Sequence, residues 1–172
     1  MNKLGNLLHA MATAIADRQM LTMTAGSGLS PSAVASVLTL GQHDQQSVSD
    51  LTSVTGLSHS AVVRLIDRLE ADGLVQRSEE KQGRSVPIAL TDAGRTEYER
   101  LRDRQSGFLE DILAELPSND QQDLERLVSG ILSAMTTSKS ARDQICRFCD
   151  EGVCEQTSCP VEQTYLKRVA QR

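Results

Sequence analysis

The sequence predicts a mainly α-helical chain with one small β-wing, and three observations carry that expectation. Apolar residues recur at helical spacing in six separate stretches between Leu4 and Met135. The period changes in only one region, where Leu74-Val75-Gln76-Arg77 and Val86-Pro87-Ile88-Ala89-Leu90 read as short strands around a polar loop. Aromatic residues make up 2% of the chain and Trp is absent, so the core must be aliphatic, which suits helix packed on helix. With 172 residues, the chain can bury such a core as one domain or a compact pair.

The elements follow in order. Leu4, Leu7, Leu8, Met11 and Ile15 line one face of a first helix, which the glycine-containing run 24–28 breaks. Ser30-Pro31 supplies an N-cap and a proline at the first helical position, opening a helix with Ala33, Val34, Val37 and Leu38 inward. Ser47-Val48-Ser49-Asp50 caps a short third helix burying Val48, Leu51 and Val54. Gly56 stands just past its end, where a left-handed conformation is usual. Ser58 caps a fourth helix with Val62, Leu65, Ile66 and Leu69 on one face, and Asp72-Gly73 stops it.

Pro87 inside the second extended segment argues for an edge strand there. Thr91-Asp92 then caps a long helix with Tyr98, Leu101, Phe108, Leu109, Ile112 and Leu113 as candidate buried positions. Leu116-Pro117 ends it, and Ser118-Asn119-Asp120-Gln121 reads as a capping box for a last helix carrying Leu124, Leu127, Val128, Ile131, Leu132 and Met135. Residues 136–141 turn small and polar, a hinge before the C-terminal segment. Apolar stripes as long as the first and last need a partner, either a second copy or a fold-back within one chain.

Two short helices joined at Thr55-Gly56-Leu57-Ser58 and followed by a hairpin make a winged helix-turn-helix, for which double-stranded DNA is the expected partner. From the first turn of the second helix Ser58, His59 and Ser60 can reach base edges, and Val63 can touch a thymine methyl. Arg64 and Arg68 share a face turned away from the apolar side. Lys81 and Arg84 sit at the wing tip, where a cation can hold a phosphate or enter a narrow minor groove. The competing reading leaves Arg64 and Arg68 solvated, or pairs them with Asp67 and Asp72. A net charge of −5 argues against a generally basic binder, yet residues 58–104 hold nine basic and nine acidic residues and are neutral as a segment. Residues 105–172 carry most of the excess, with seven basic against eleven acidic.

At this point the chain resembles the MarR family of transcriptional regulators. The resemblance is carried by Ser47-Val48-Ser49-Asp50-Leu51, the run from Gly56 to Arg77, and Ala89-Leu90-Thr91-Asp92-Ala93-Gly94, and it covers approximately residues 4–138. It implies a homodimer whose terminal helices interdigitate across a two-fold axis, binding pseudo-palindromic operators, usually as a repressor released by a small-molecule effector or oxidant. By that match Ser58, His59, Ser60, Arg64 and Arg68 fall on the recognition helix and Arg84 on the wing arginine. Where many members carry Asp-Arg-Arg in the wing, this chain has Gln82-Gly83-Arg84, so the acidic brace of the arginine is missing. The expected division is a first dimerisation helix and linker at 1–28 and a winged helix-turn-helix at 29–92. C-terminal dimerisation helices occupy 93–138, and a cysteine-rich tail 139–172.

That tail holds every cysteine of the chain, as Cys146-x2-Cys149-x4-Cys154-x4-Cys159. Four thiols at this spacing can wrap one ion, with the Cys-x2-Cys element forming a knuckle and Gly152 allowing the return before Cys154. The spacing equals that of the zinc knuckle, with Cys154 where that motif has histidine. Tetrathiolate Zn2+ is the first reading. An iron–sulfur cluster is the second, since Cys159-Pro160 resembles the ending of ferredoxin-type runs. A metal-free thiol switch at Cys146 and Cys149 is the third. A tail starting at 136 is expected to lie near the dimer interface, where metal or redox state could alter helix packing.

A cytoplasmic location is expected. No run approaches the roughly 20 apolar residues of a membrane span, and no basic-then-apolar leader opens the chain. An enzyme is not expected, because the sequence has no phosphate loop, no Ser/His/Asp set and three histidines, His9, His43 and His59, in three separate elements. The rivals from other classes are a small redox enzyme built on the four thiols and an interaction module that no longer binds DNA.

Overall fold

The structure, a computed structural model, describes residues 2–78 and 86–171, without the side chains of Ser106 and Phe108. Among the described residues the order is α1 (Lys3–Thr24), α2 (Pro31–Gln42), α3 (Val48–Thr55), α4 (His59–Ala71), β1 (Val75–Arg77), β2 (Ile88–Leu90), α5 (Asp92–Ala114), α6 (Ser118–Met135), α7 (Lys139–Cys146) and α8 (Pro160–Ala170). The helical chain with a small antiparallel β element is the expected fold class.

Local capping chemistry sets most boundaries. Ser30 accepts from the Ala33 N–H with Pro31 at the first helical position, and Ser58 accepts from the Ala61 N–H. Ser47 and Asp50 cap each other's backbone in a complete capping box, and Gly56 closes α3 at φ +68°. Thr91 does double duty: its hydroxyl accepts from the Gly94 N–H and donates to the Gly73 carbonyl at 2.6 Å. The first turn of α5 is thereby tied to the end of α4.

One aliphatic core takes Met23 from α1, Val34, Val37 and Leu38 from α2, Leu51 from α3, Val62, Ile66 and Leu69 from α4, Val75, Ile88 and Leu90 from the strands, and Leu101 from α5. The face of α4 opposite its arginines is therefore locked, each fully buried Val, Leu or Ile contributing roughly 1.5–3 kcal/mol. Val75 pairs with Leu90 and Arg77 with Ile88.

Three expectations are corrected. Ile88 is bridged on its other side to Gln46, with reciprocal N–H···O distances of 2.8 and 3.0 Å. The second strand thus lies between two partners, and Pro87 is accommodated because it precedes the strand, its carbonyl accepting from the Ser78 N–H. Ser118 forms no capping box: the Pro117 carbonyl starts the ladder of α6, and Gln121 Nε2 reaches back to the Leu113 and Leu116 carbonyls instead. The stretch read as a hinge from 136 to 141 is short and ordered. Thr136 is fully buried, and Ser138 caps α7 by accepting from the Ala141 N–H.

Of the long-helix positions expected to be buried, Leu101 is in the core, whereas Leu109, Ile112 and Leu113 are exposed and Tyr98 is partly buried. Leu4, Leu7 and Met11 on α1 are exposed, as are Leu127, Val128, Ile131 and Met135 on α6. Three helices thus present uncovered apolar stripes in the single chain. Among the described residues no helix is long and apolar enough to cross a membrane.

Candidate nucleic-acid interface and cysteine segment

Packing α4 on the core through Val62, Ile66 and Leu69 leaves Ser58, His59, Ser60, Arg64 and Arg68 exposed, and Val63 partly buried. The Ser58 oxygen is engaged as the cap, 3.3 Å from the Ala61 nitrogen, and the Ser60 hydroxyl lies 3.3 Å from it. The rival pairing of the arginines is met in part. Arg68 and Asp72 are 3.9 Å apart and both largely exposed, a geometry that contributes little. Asp67 is held by Arg77, which donates to Asp67 Oδ1 at 2.6 Å and also pairs with Glu70. Burial lowers the Arg77 guanidinium, but its bonds to Asp67 and Glu70 outweigh that and raise it overall. The Arg77 backbone N–H donates to Glu70 too, so β1 is clamped to the outer side of α4. Sequence reasoning missed this brace, although acids at 67 and 70 facing a basic residue at the strand end were a signal. Lys81 and Arg84 lie outside the described residues.

The four cysteines occupy the junction of two helices that the sequence reading did not place. Cys146 is the last residue of α7 and Cys159 the N-cap of α8. Between them the backbone runs through successive turns, with the Cys149, Cys154 and Cys159 N–H groups donating to the carbonyls of Cys146, Asp150 and Glu155. The Cys146 thiol donates to the Cys149 sulfur. That bond, then burial, pushes Cys146 up, whereas the same bond outweighs burial and holds Cys149 down. Burial, then the charges of Cys149 and Cys159, push Cys154 up. Among the described residues no three His, Cys, Asp or Glu side chains converge tightly enough to enclose an ion in this conformation. The donor set fits a thiophilic metal in kind, as four thiols on one turn-rich segment, but not in arrangement.

This segment is anchored to the helix-turn-helix. α7 packs on α3, and Ser53 Oγ donates to Asp143 Oδ2 at 2.6 Å. Asp143 also accepts from Lys139 and Arg142. Burial would raise its carboxyl, but the three donors outweigh it and hold it below the ordinary range. Beyond the Cys146–Cys149 pair, Asp150 pairs with Arg102 of α5. The Glu151 N–H donates to Gln42 Oε1 at 2.8 Å, and Glu151 Oε1 lies 3.0 Å from His43 Nε2. Phe148 packs against the core. α8 lies on α6, and Arg142 links α7 to α8 through Glu162 and through the ring of Tyr165, 4.4 Å away. A cavity of about 540 Å³ opens beside Phe148, with Ile15, Met23, Arg104, Leu132 and Cys149 in its wall. Gln105 Oε1, also in that wall, is buried and finds no partner among the described residues.

A capped helix-turn-helix, its second helix showing a polar and cationic face and followed by a two-stranded hairpin, defines a winged helix-turn-helix protein. Comparison with known proteins narrows this: residues 27–85 match the MarR family model. The match ends well before the cysteine segment. A curated relative, an uncharacterized HTH-type transcriptional regulator, YdgJ, of Bacillus subtilis, is 28% identical over 110 residues. That alignment takes in 63% of this chain and 65% of the relative, so the chain spans just under two thirds of its length. Among solved structures, a MarR family protein from Bacillus stearothermophilus superposes with a TM-score of 0.69 at 23% identity, covering 80% of this chain and 99% of that one. MepR, a transcription regulator of the Staphylococcus aureus multidrug efflux pump MepA, does so with 0.66 at 15% identity, covering 78% and 98%. These likenesses establish the shared fold. The curated relative and MepR are both described as transcription regulators.

Proposed function

We propose that this protein is a transcriptional regulator that binds pseudo-palindromic double-stranded DNA as a homodimer, with repression as the sense implied by its family. The observation that carries the reading is α4: one face is locked into the core by Val62, Ile66 and Leu69, and the other presents His59, Ser60, Arg64 and Arg68 to solvent. A rigid helix with exposed donors on its outer face suits the major groove, where bidentate arginine contacts discriminate guanine. The exposed apolar stripes on α1, α5 and α6 support a second copy as their cover, and a two-fold dimer matches a two-fold operator. The cavity beside Phe148 is the place we assign to a small-molecule effector, its volume falling in the range of ligand sites.

Cys146, Cys149, Cys154 and Cys159 form the metal-binding part of the regulator, with Zn2+ as the ion. When bound, zinc would supply a structural cross-link between the four thiolates. The chain's own contribution is to hold the Cys146–Cys149 pair between two anchors on the DNA-binding unit. An iron–sulfur cluster is the alternative that metal analysis decides.

Selection of bound duplexes from a random pool, followed by anisotropy titration over a salt series, tests the DNA reading. Wild-type protein should enrich two half-sites about one helical turn apart. Arg64→Ala with Arg68→Ala should weaken binding and reduce the salt slope by about one for each phosphate that is no longer neutralised. Unselective binding, or a double variant that binds as wild type, would sink it. Metal content and the visible spectrum of anaerobically purified protein test the thiol site: colourless protein with zinc supports it, and brown protein with iron and sulfide replaces zinc by a cluster.

A further inference from the structure

We propose that Cys146 and Cys149 close a reversible disulfide, which makes this turn a two-electron oxidation site for an oxidant of the peroxide class. The proposal goes beyond the metal reading and does not rest on it. Among the described residues the thiols do not converge around an ion, but two of the four meet, the Cys146 thiol donating to the Cys149 sulfur. The backbone holds that pair. α7 ends at Cys146, Arg147 keeps near-helical angles of φ −55° and ψ −18°, and the Cys149 N–H donates to the Cys146 carbonyl at 2.8 Å. A turn closed in this way keeps its first and last Cα atoms within about 7 Å. Disulfides span roughly 4.4–6.8 Å between Cα atoms, so the bond can close by side-chain rotation inside the turn. Phe148, between the two cysteines, packs against the core, and Asp150 just beyond them pairs with Arg102. The other two thiols are placed differently: Cys154 is exposed, and Cys159 is the N-cap of α8.

Access assigns the two roles. Cys149 stands in the wall of the cavity of about 540 Å³ beside Phe148, and Cys146 does not. An oxidant entering there meets the Cys149 sulfur first, with Cys146 behind it as the resolving thiol. The Cys149 sulfur attacks one oxygen of hydrogen peroxide and the O–O bond breaks. One oxygen stays on sulfur as a sulfenic acid, and the other leaves as water with the Cys149 proton. The Cys146 sulfur then attacks the Cys149 sulfur, the S–S bond forms, and the sulfenic hydroxyl departs with the Cys146 proton as a second water. Two thiols give up two electrons and two protons, and one peroxide becomes two waters.

The test uses the full chain, reduced, stripped of metal by chelator, treated with equimolar hydrogen peroxide and then alkylated. Equimolar oxidant selects the most reactive pair. Trypsin cuts after Arg142, Arg147 and Lys167, so Cys146 leaves on peptide 143–147 and the other three cysteines on peptide 148–167. Wild type should yield these two peptides joined, with the alkyl groups on Cys154 and Cys159, and dithiothreitol should part them. Cys146→Ser should lose the link and leave Cys149 as a sulfenic acid that dimedone labels. Cys149→Ser should lose the link and leave Cys146 alkylated, and circular dichroism confirms that both variants are folded. A disulfide confined to peptide 148–167, with Cys146 alkylated in wild type, overturns the proposal. Four alkylated thiols after peroxide overturn it too.

Discussion

Gly94 gives the sharpest quantitative prediction, because backbone occupies the place its side chain would need. A Cβ built there lies 1.9 Å from the Leu74 carbonyl oxygen, 2.9 Å from its carbon and 3.2 Å from Leu90 Cδ2. The same carbonyl accepts from the Thr91 N–H at 3.1 Å, which draws the first turn of α5 onto the strand entry. Gly94→Ala must part the two by more than an ångström and lose that bond. Overpacking costs about 1–3 kcal/mol and the lost bond about 0.5–1.5, so destabilisation should be ~2–4 kcal/mol. With a urea slope of ~2 kcal/mol/M the midpoint should fall by ~1–2 M. Gly107, in the same helix, meets nothing within 4 Å, and alanine there should raise stability by ~1 kcal/mol. Urea unfolding followed by circular dichroism on the three proteins decides it. A Gly94→Ala midpoint equal to or above wild type, at unchanged slope, would refute the close approach.

Two further outcomes arise from the ion pairs. Asp143 is ionised more readily folded than unfolded, so its contribution is complete above the unfolded carboxylate value and is lost as pH falls through the lower folded one. Asp143→Asn should therefore lower the urea midpoint at neutral pH, and the gap from wild type should close below about pH 4; a gap that is constant or widens toward acid contradicts this. Arg77→Ala should loosen β1 from α4 at a cost of only ~0.5–1 kcal/mol, because Asp67 and Glu70 are more than a third exposed. Its stability deficit should shrink in added NaCl, and salt independence would show that the charges are not what matters.

What was legible in the sequence divides by distance along the chain. The caps at Ser30, Ser47, Ser58 and Thr91 are chemistry between residues three apart, and all four stand as their local pattern predicts. Ser118 carries the same pattern and fails, because Pro117 already terminates the previous turn and its carbonyl takes the opening bonds. Gly94 was visible only as part of a family likeness; its reason, the Leu74 carbonyl, lies twenty residues back. α7 and α8 had signals that the cysteine spacing overshadowed: Ser138 before α7, and Pro160 at the first turn of α8 with Lys167 and Arg168 in its last. The pairings of Ser53 with Asp143 and of Arg102 with Asp150 had none, since tertiary pairing leaves no local pattern. For the same reason the tail, expected beside the dimer frame, also proves to be fastened to the DNA-binding unit.

That fastening bears on whether an appended metal site could influence DNA binding. Zinc binding to a thiolate site is worth roughly 10–16 kcal/mol, whereas coupling between distant sites is typically about 1–3 kcal/mol. Only a small fraction of the first need be transmitted to supply the second. A tail joined to the fold at one end would dissipate it, because a free segment can close around an ion without moving anything else. Here the upstream anchor is Asp143, bonded to Ser53 of α3, and the downstream anchors are Asp150, paired with Arg102 of α5, and Glu151, bonded to Gln42 at the end of α2. Closure of the loop must therefore either strain those anchors or shift the helices that bear them.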